Sequence, residues 1–404
     1  MNEAETMRYL GIDLARSVAI FFVMMGHAMA AARIGHGIPG IDALRIFLSI
    51  SAPVFFCLFG TMLQLVYTRK YASGLETETT QRLWTRALQC WILYAFTCAV
   101  FCLANGYSLA YFVRCSLFMG DTPYTDILRF YAAQLFLAPL LVRTSARIGL
   151  WPLVLTVAVI HASFPFISQL GPIGTFPGAE SISSFVYGGN LFTHTGPSVI
   201  HGLGFVVAGM VIGKVMQARP GKEALLSGPG WRVRTAYVAL ALVCLGWMVF
   251  AGYNMADPQT RTFLRNANHP LYLLTGVAAT VLFIDVFGII RSIAKTARDS
   301  IWMIFGRTSL FTFAYGNAYL YIVALKGDTP GPAFTQFFVS MVVILLMSYG
   351  YSRFRDMKAL KSDHWMARTY RWIVDDSTPQ IVRFLTGPIL HHDTKSSQLP
   401  TMGR

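Results

Sequence analysis

Ten apolar runs, each close to the length that crosses a lipid bilayer, constrain the fold more than any other feature. A spanning helix needs about 20 apolar residues, because the hydrocarbon core is about 30 Å thick and a helix rises about 1.5 Å per residue. The composition agrees, since 54% of residues are hydrophobic and 13% are charged, whereas soluble domains carry about 25% charged residues. The sequence therefore predicts an all-α polytopic membrane protein with about ten transmembrane helices. The ten runs lie at residues 12–32, 43–67, 84–104, 126–143, 149–167, 198–217, 235–253, 269–289, 300–325 and 333–351.

The basic residues predict the orientation. Ten spans place both termini on one side. If that side is the cytoplasm, the inner loops and the tail hold 24 of the 33 Lys and Arg, the outer loops hold six, and three fall in or beside spans. This bias follows the positive-inside rule, so it explains the net charge of +14 without a nucleic-acid partner. The six outer cations are Arg33, Arg45, Arg114, Arg261, Arg265 and Lys326.

Two domains are expected. Residues 1–352 form the membrane domain, and residues 353–404 form a basic cytoplasmic tail in which Lys and Arg mix with Trp365, Trp372, Ile373, Val374 and Phe384. This pattern predicts an amphipathic helix on the anionic inner leaflet. A further short interfacial helix is predicted between residues 105 and 125. The six cysteines lie mostly in apolar runs without metal-ligand spacing, so no metal site is expected.

The first run carries three ionisable residues: Asp13, Arg16 and His27. Such residues are costly inside a membrane and indicate function by default. Arg16 and His27 are eleven positions apart, which is three helical turns plus about 20°, so they share a face about 16 Å apart. Asp13, one turn earlier, is placed to pair with Arg16. The alternative is structural, with Asp13 and Arg16 at the cytoplasmic interface and His27 bonded to a neighbouring helix.

The outer loop at residues 168–197 contains no Lys or Arg and is rich in glycine, hydroxyl and aromatic residues. Loops of this length are usually functional or disordered. Aromatic rings stack on sugars, and hydroxyl groups need polar partners. We therefore expect Asn190 and His194 to contact a substrate. A plain connecting loop with interfacial Phe and Tyr is the alternative.

Arg16-x10-His27 in a first transmembrane helix, preceded by Asp13, resembles the hallmark of the acyltransferase 3 family. Members of this family are membrane enzymes that move acyl groups onto sugars and glycans. SAPVFFCLFGTML in the second run is similar to the family's FFxxSG stretch. Residues 125–141 resemble its fourth-helix segment, and residues 305–321 resemble its late G-x-x-S-L segment.

The chain departs from the family pattern at three places. Phe59 stands where the FFxxSG stretch usually has Ser. Tyr131 stands where many members carry Glu, a form that looks more like the branch that succinylates periplasmic glucans. Gly316 and Asn317 stand where the late segment often ends in His.

The resemblance implies site residues. His27 would be the catalytic base, since its ordinary pKa lies near neutral pH. Arg16 and Asp13 complete the expected catalytic set, in which Arg16 would either hold the phosphate or pantetheine end of a thioester donor or orient Asp13. Arg82 and Arg86 resemble the family's basic pair after the second helix. The coenzyme A of an acyl-CoA donor would contact them together with Arg69, Lys70 and Arg307, although cations are expected at this inner end in any case.

Three more residues in the fourth run are candidates for substrate binding. Tyr131 and Gln134 share a helix face and are expected to line a pore. Arg129 lies one turn after Asp126. It either pairs with that carboxylate or binds an acidic acyl group such as succinyl.

The expected function is an O-acyltransferase of the bacterial inner membrane. It would move acetyl or succinyl from cytosolic acyl-CoA, without a permanently bound cofactor, to a hydroxyl of a periplasmic or exported glycan. This hypothesis requires a channel from Arg82 and Arg86 to His27. The lipid bilayer and a polysaccharide synthase complex are the expected partners. The alternatives are a proton-coupled transporter that uses His27, and an inactive relative within a polysaccharide-synthesis complex.

Overall fold

The computed structural model describes residues 10–34, 40–189, 196–217, 231–254, 257–294, 301–324 and 330–356, with residues 365, 368–369 and 372–384 of the tail. Helices, turns and loops make up these residues, and no strand occurs among them. Seven of the helices are long and apolar enough to cross a membrane. The chain is therefore an all-α polytopic membrane protein, as predicted.

The helices follow one another in chain order. The first half contains α1 (Leu10–Ala31), α2 (Ile41–Ser49), α3 (Ser51–Met62), a π-helical turn (Leu63–Thr68), α4 (Arg69–Ala72), α5 (Glu76–Asn105), α6 (Leu109–Ser116), α7 (Asp126–Arg147), α8 (Trp151–Ala162), α9 (Phe164–Ile167) and α10 (Ala179–Val186). The second half contains α11 (Val199–Gln217), α12 (Trp231–Phe250), α13 (Pro258–Asn266), α14 (Pro270–Ala294), α15 (Ile304–Arg307), α16 (Ser309–Val323) and α17 (Pro330–Asp356).

Each of the ten apolar runs contains a helix. Seven runs contain helices of spanning length: α1, the continuous segment from α2 to α4, α5, α7, α11, α14 and α17. The other three contain α8, α12 and α16, which have 12, 20 and 15 residues. The count of ten spans thus remains a prediction. The short helix expected between residues 105 and 125 is α6, which begins with a hydrogen bond from the Tyr111 amide to the Ser108 hydroxyl.

Glycines bring α3 and α11 into direct backbone contact. A Cβ at Gly60 would lie 1.9 Å from the carbonyl oxygen of Val206, and one at Gly209 would lie 1.9 Å from that of Cys57. Small residues allow this approach, which is a common way to pack helices in membranes. The pair fixes one wall of the bundle that surrounds α1.

The described part of the 168–197 loop is folded onto the segment before α7. The Ser181 hydroxyl donates to Asp121 at 3.1 Å, and the Phe185 ring stacks on Phe118 with centroids 5.0 Å apart. Within the loop, the Ile173 amide donates to the Ser183 hydroxyl at 2.9 Å. The predicted acceptor contacts Asn190 and His194 lie outside the described residues.

Most of the tail also lies outside the described residues. Residues 372–384 are helical, beginning with a π-helical segment at Trp372–Ser377. Trp372 and Phe384 are largely exposed, whereas Val382 is buried. The tail's position on the inner leaflet and the boundary at residue 353 remain predictions.

Candidate active site

Two segments that are far apart in sequence run side by side at the centre of the bundle. Arg16 Nη2 donates to the Gly306 carbonyl oxygen at 3.0 Å, and His27 Nδ1 lies 2.9 Å from Asn317 Oδ1. Both pairs join positions that are 290 apart. The eleven-residue spacing in α1 is therefore repeated between Gly306 and Asn317, so α1 and the α15–α16 segment are parallel. The first and late sequence motifs form one site.

The Arg16 guanidinium links these segments near the end at which α1 begins. Its Nη2 also lies 3.1 Å from Asp13 Oδ1, in the pairing that the spacing predicts. Gly306 is held a second time, because its amide donates to the Ser17 hydroxyl at 3.1 Å. Arg16 Nε is buried and has no hydrogen-bond partner among the described residues. Arg16 thus fixes the late segment against α1, and its predicted part in catalysis remains a prediction.

Asn317 sets the tautomer of His27. The Asn317 Nδ2 donates to the Tyr124 carbonyl oxygen at 2.8 Å, and a carbonyl can only accept. The Oδ1 of Asn317 therefore faces His27 as an acceptor, so Nδ1 of the neutral imidazole carries the proton. The lone pair is on Nε2. This arrangement holds the ring and prepares Nε2 to accept a proton.

A turn before α7 covers the imidazole. The Tyr124 ring lies against the His27 ring, with centroids 5.0 Å apart. Tyr124 has a φ of 66°, which is uncommon for a residue with a side chain. The turn is fixed to α16 at two points, because Tyr321 donates its hydroxyl hydrogen to the Pro123 carbonyl and Asn317 binds the Tyr124 carbonyl. Burial raises the pKa of the Tyr124 phenol, so the group stays protonated.

His27 lines a cavity of about 540 Å³. Other residues of α1 form one side of the lining. The rest comes from helix ends and loops that are predicted to face outward: α2, the start of α3, the turn before α7 with the start of α7, residues 196–197, α13 and the start of α14. His27 thus faces a cavity rather than lipid or closed core. The lining does not include Arg16, Arg82 or Arg86, so the cytoplasmic half of the expected channel remains a prediction.

The expected coenzyme A contacts lie at the opposite end of the bundle, where α1 begins. Arg82 Nη2 lies 2.6 Å from Glu78 Oε1, and its side chain is about half exposed. Arg86 is also exposed and donates to Gln89 Oε1 at 3.1 Å. Arg69, Lys70 and Arg307 belong to the short helices α4 and α15 at this end. This end of the bundle is therefore basic, and its binding of the donor remains a prediction.

The three candidates in α7 pack inside the bundle and do not line the cavity. Gln134 is buried and donates to the Val199 carbonyl at 2.8 Å. The Tyr131 ring contacts Phe59, with centroids 4.6 Å apart. Their role at the wall of the donor channel remains a prediction.

Arg129 contacts carboxylates of the protein, as expected if it pairs with Asp126 and does not bind an acidic acyl group. Its side chain is 1% exposed, and Nη1 lies 2.9 Å from Asp121 Oδ1. Nη2 lies 3.7 Å from Asp126, and the guanidinium stacks on Phe185 at 4.9 Å. These contacts tie α7 to the 168–197 loop.

Sequence reasoning missed several groups that the structure brings to His27. Asn317 was noted as a departure from the family pattern, although its spacing from Gly306 equals that between Arg16 and His27. Tyr272 also lines the cavity, and its buried hydroxyl has no hydrogen-bond partner among the described residues. Arg261 and Arg265 were counted only as outer charges. In the part of the chain that the structure describes, no three His, Cys, Asp or Glu are placed to hold a metal ion.

An oriented imidazole in the wall of a cavity in a helical membrane protein suits proton transfer, either for transport or for group transfer. The comparison with known families decides between these. Residues 9–353 match the family described as an acyltransferase domain, and the chain belongs to this acyltransferase 3 family. None of the curated proteins compared with the chain matches it. The protein is thus a multi-pass membrane acyltransferase, and the predicted family is confirmed.

Proposed function

We propose that the protein is an O-acyltransferase of the bacterial inner membrane. It moves a small acyl group, acetyl or succinyl, from cytosolic acyl-CoA to a hydroxyl of a periplasmic or exported glycan. The observation that carries the proposal is the His27–Asn317 pair at the cavity wall, because it leaves Nε2 as a base where an acceptor hydroxyl can arrive.

The chemistry follows from this geometry. The acceptor hydroxyl gives its proton to Nε2 of His27 as its oxygen attacks the thioester carbonyl. The tetrahedral intermediate then expels the thiolate of coenzyme A, which takes the proton back from the imidazolium. General acid–base catalysis of this kind contributes about 10²- to 10⁴-fold.

Two tyrosines in the cavity wall are hydrogen-bond donors for this reaction. The Tyr272 hydroxyl is buried beside the cavity, and no described residue bonds it. The Tyr124 phenol stays protonated next to the imidazole. In other acyl transfers, removing one hydrogen-bond donor that points at the developing oxyanion raises the activation free energy by about 2.7–4 kcal/mol. We assign the Tyr272 hydroxyl to donate a hydrogen bond either to the developing oxyanion or to the oxygen of the acceptor hydroxyl.

The donor approaches from the inner end. Coenzyme A carries several phosphate charges, and Arg82, Arg86, Arg69 and Lys70 supply cations on that face. Guanidinium groups bind phosphate through paired, charge-assisted hydrogen bonds. The thioester arm would then pass Arg16 to reach His27.

Donor binding tests this function against proton-coupled transport. Coenzyme A added to the purified protein should raise its melting temperature, because a ligand that binds only the folded state stabilises it. Arg82→Ala should lose most of this increase. Arg114→Ala is the matched control, since it removes an arginine at the predicted outer face. A protein that does not respond to coenzyme A but shows proton-coupled uptake would contradict the proposal.

A further inference from the structure

Three arginines line the cavity together with His27. Arg45 comes from α2, whereas Arg261 and Arg265 come from α13, where a spacing of four residues places them on one face. The loops predicted to face outward hold six of the 33 Lys and Arg, and these three are half of them. Outer loops of membrane proteins are poor in cations as a rule. Their concentration at one cavity indicates that its ligand is negatively charged.

The acidic groups near this cavity are fewer or already engaged. Asp126 is the one carboxylate in the lining, and it lies 3.7 Å from Arg129, which is outside the lining. Asp257, just before α13, accepts hydrogen bonds from two backbone amides and from the Thr260 hydroxyl, so it caps the helix. Asp42, one turn before Arg45, does not line the cavity, but its carboxylate attracts the Arg45 guanidinium and offsets part of that charge. Three guanidinium groups and one carboxylate give the lining a positive charge.

The arginines are held on ordered elements. Arg45 donates to the Ile34 carbonyl, and Arg265 Nε donates to Asn266 Oδ1 at 3.3 Å. Between Arg261 and Arg265, Leu264 is 1% exposed and anchors α13 to the core. A guanidinium presents its donors in a planar fork that matches a carboxylate or a phosphate.

We propose that this cavity binds an anionic group, a carboxylate or a phosphate, on the outer side of His27. The inference rests on the proposed function and names a property of its substrate. Two parts of the reaction can supply the charge. One is an acidic substituent on the acceptor sugar. The other is the far carboxylate of a dicarboxylic acyl group such as succinyl, whose carbonyl reaches His27 from the inner side and whose far end then points outward.

The experiment uses the full-length purified protein and two series of related ligands, each with a member that lacks the added anionic group and a member that carries it. For the acceptor, binding of glucose, glucuronate and glucose 6-phosphate is compared. For the donor, acetyl-CoA and succinyl-CoA are compared. We expect wild type to prefer the charged member of one series, and Arg261→Gln/Arg265→Gln to bind that member about 10-fold more weakly or worse.

Two variants control for folding and for bulk charge. Arg261→Lys/Arg265→Lys keeps the positive charge and should retain most of the preference. Arg114→Gln removes an outer arginine that lies over the Tyr111 ring, 5.6 Å from its centroid and outside the cavity lining, and should bind as wild type does. Melting temperatures without ligand show whether each variant is folded.

The outcomes are distinct. Preference for the charged sugars assigns the charge to the acceptor, and preference for succinyl-CoA assigns it to the acyl group. Equal binding of charged and neutral members in both series overturns the inference, as does a preference that survives in the folded Gln variant. Transfer from acetyl-CoA to a neutral glucan is measured on the same preparations. If this transfer depends on His27 while no charge preference exists, the proposed function stands and the inference alone fails.

Discussion

At the scale of single residues, the pairing of His27 with Asn317 explains how one imidazole in a membrane helix is prepared for proton transfer. The sequence predicts His27, Arg16 and Asp13, because ionisable groups in an apolar run are conspicuous. It does not predict Asn317, since a neutral amide in an apolar helix has no such signal. Its partner lies 290 positions away, and no local pattern encodes that contact.

Replacing Asn317 with Ala should lower kcat and leave KM nearly unchanged. The Nδ1 hydrogen of His27 would lose its acceptor, and the ring would no longer be held in one tautomer. The loss of one such bond costs about 1–3 kcal/mol, which corresponds to roughly 5- to 150-fold in rate. Steady-state acyl-transfer kinetics measure the effect.

Gln336→Ala is the matched control for this prediction. It also removes an amide that donates to a backbone carbonyl, that of Val323 at 3.0 Å, but the contact does not involve His27. Equal kcat values for Asn317→Ala and wild type would show that Asn317 does not position the base.

At the scale of helices, the apolar runs predict where most elements lie, because 20 consecutive apolar residues leave few alternatives to a membrane helix. Details inside a run were not predictable. The second run is broken at Ile50, between α2 and α3, and contains a π-helical turn. A hydropathy pattern also cannot predict that α1 and α16 are parallel. This arrangement depends on Arg16 and His27 each contacting a residue 290 positions later in the chain.

The close contact of α3 and α11 makes Gly209 intolerant of a side chain. A methyl group there would overlap the Cys57 carbonyl, so Gly209→Ala should destabilise the protein by about 1–3 kcal/mol. Thermal unfolding of the purified protein in detergent measures the change.

Gly350→Ala provides the comparison, because Gly350 is also in a helix and a Cβ there meets nothing within 4 Å. Its melting temperature should be unchanged or slightly higher, since Ala favours helix more than Gly does. If both variants have the melting temperature of wild type, α3 and α11 are not in direct backbone contact at Gly209.

At the scale of the whole molecule, the two ends of the site carry different groups. The basic residues expected to bind the donor lie where α1 begins, and the cavity with His27 lies at the other end. The positive-inside pattern predicts which end faces the cytoplasm. The cavity itself could not be predicted, because its wall is assembled from six separate stretches of chain that sequence patterns do not connect.

The most direct test of the central claim measures the transfer of an isotopically labelled acyl group from acyl-CoA to surface glycan. The labelled glycan is detected by mass spectrometry, in membranes that contain equal amounts of each variant. His27→Ala should lower transfer by about 10²- to 10⁴-fold. His161→Ala should transfer normally, because His161 Nδ1 contacts the Val157 carbonyl of its own helix at 3.0 Å and lies outside the cavity lining. Full transfer by His27→Ala would contradict the assignment of His27 as the catalytic base.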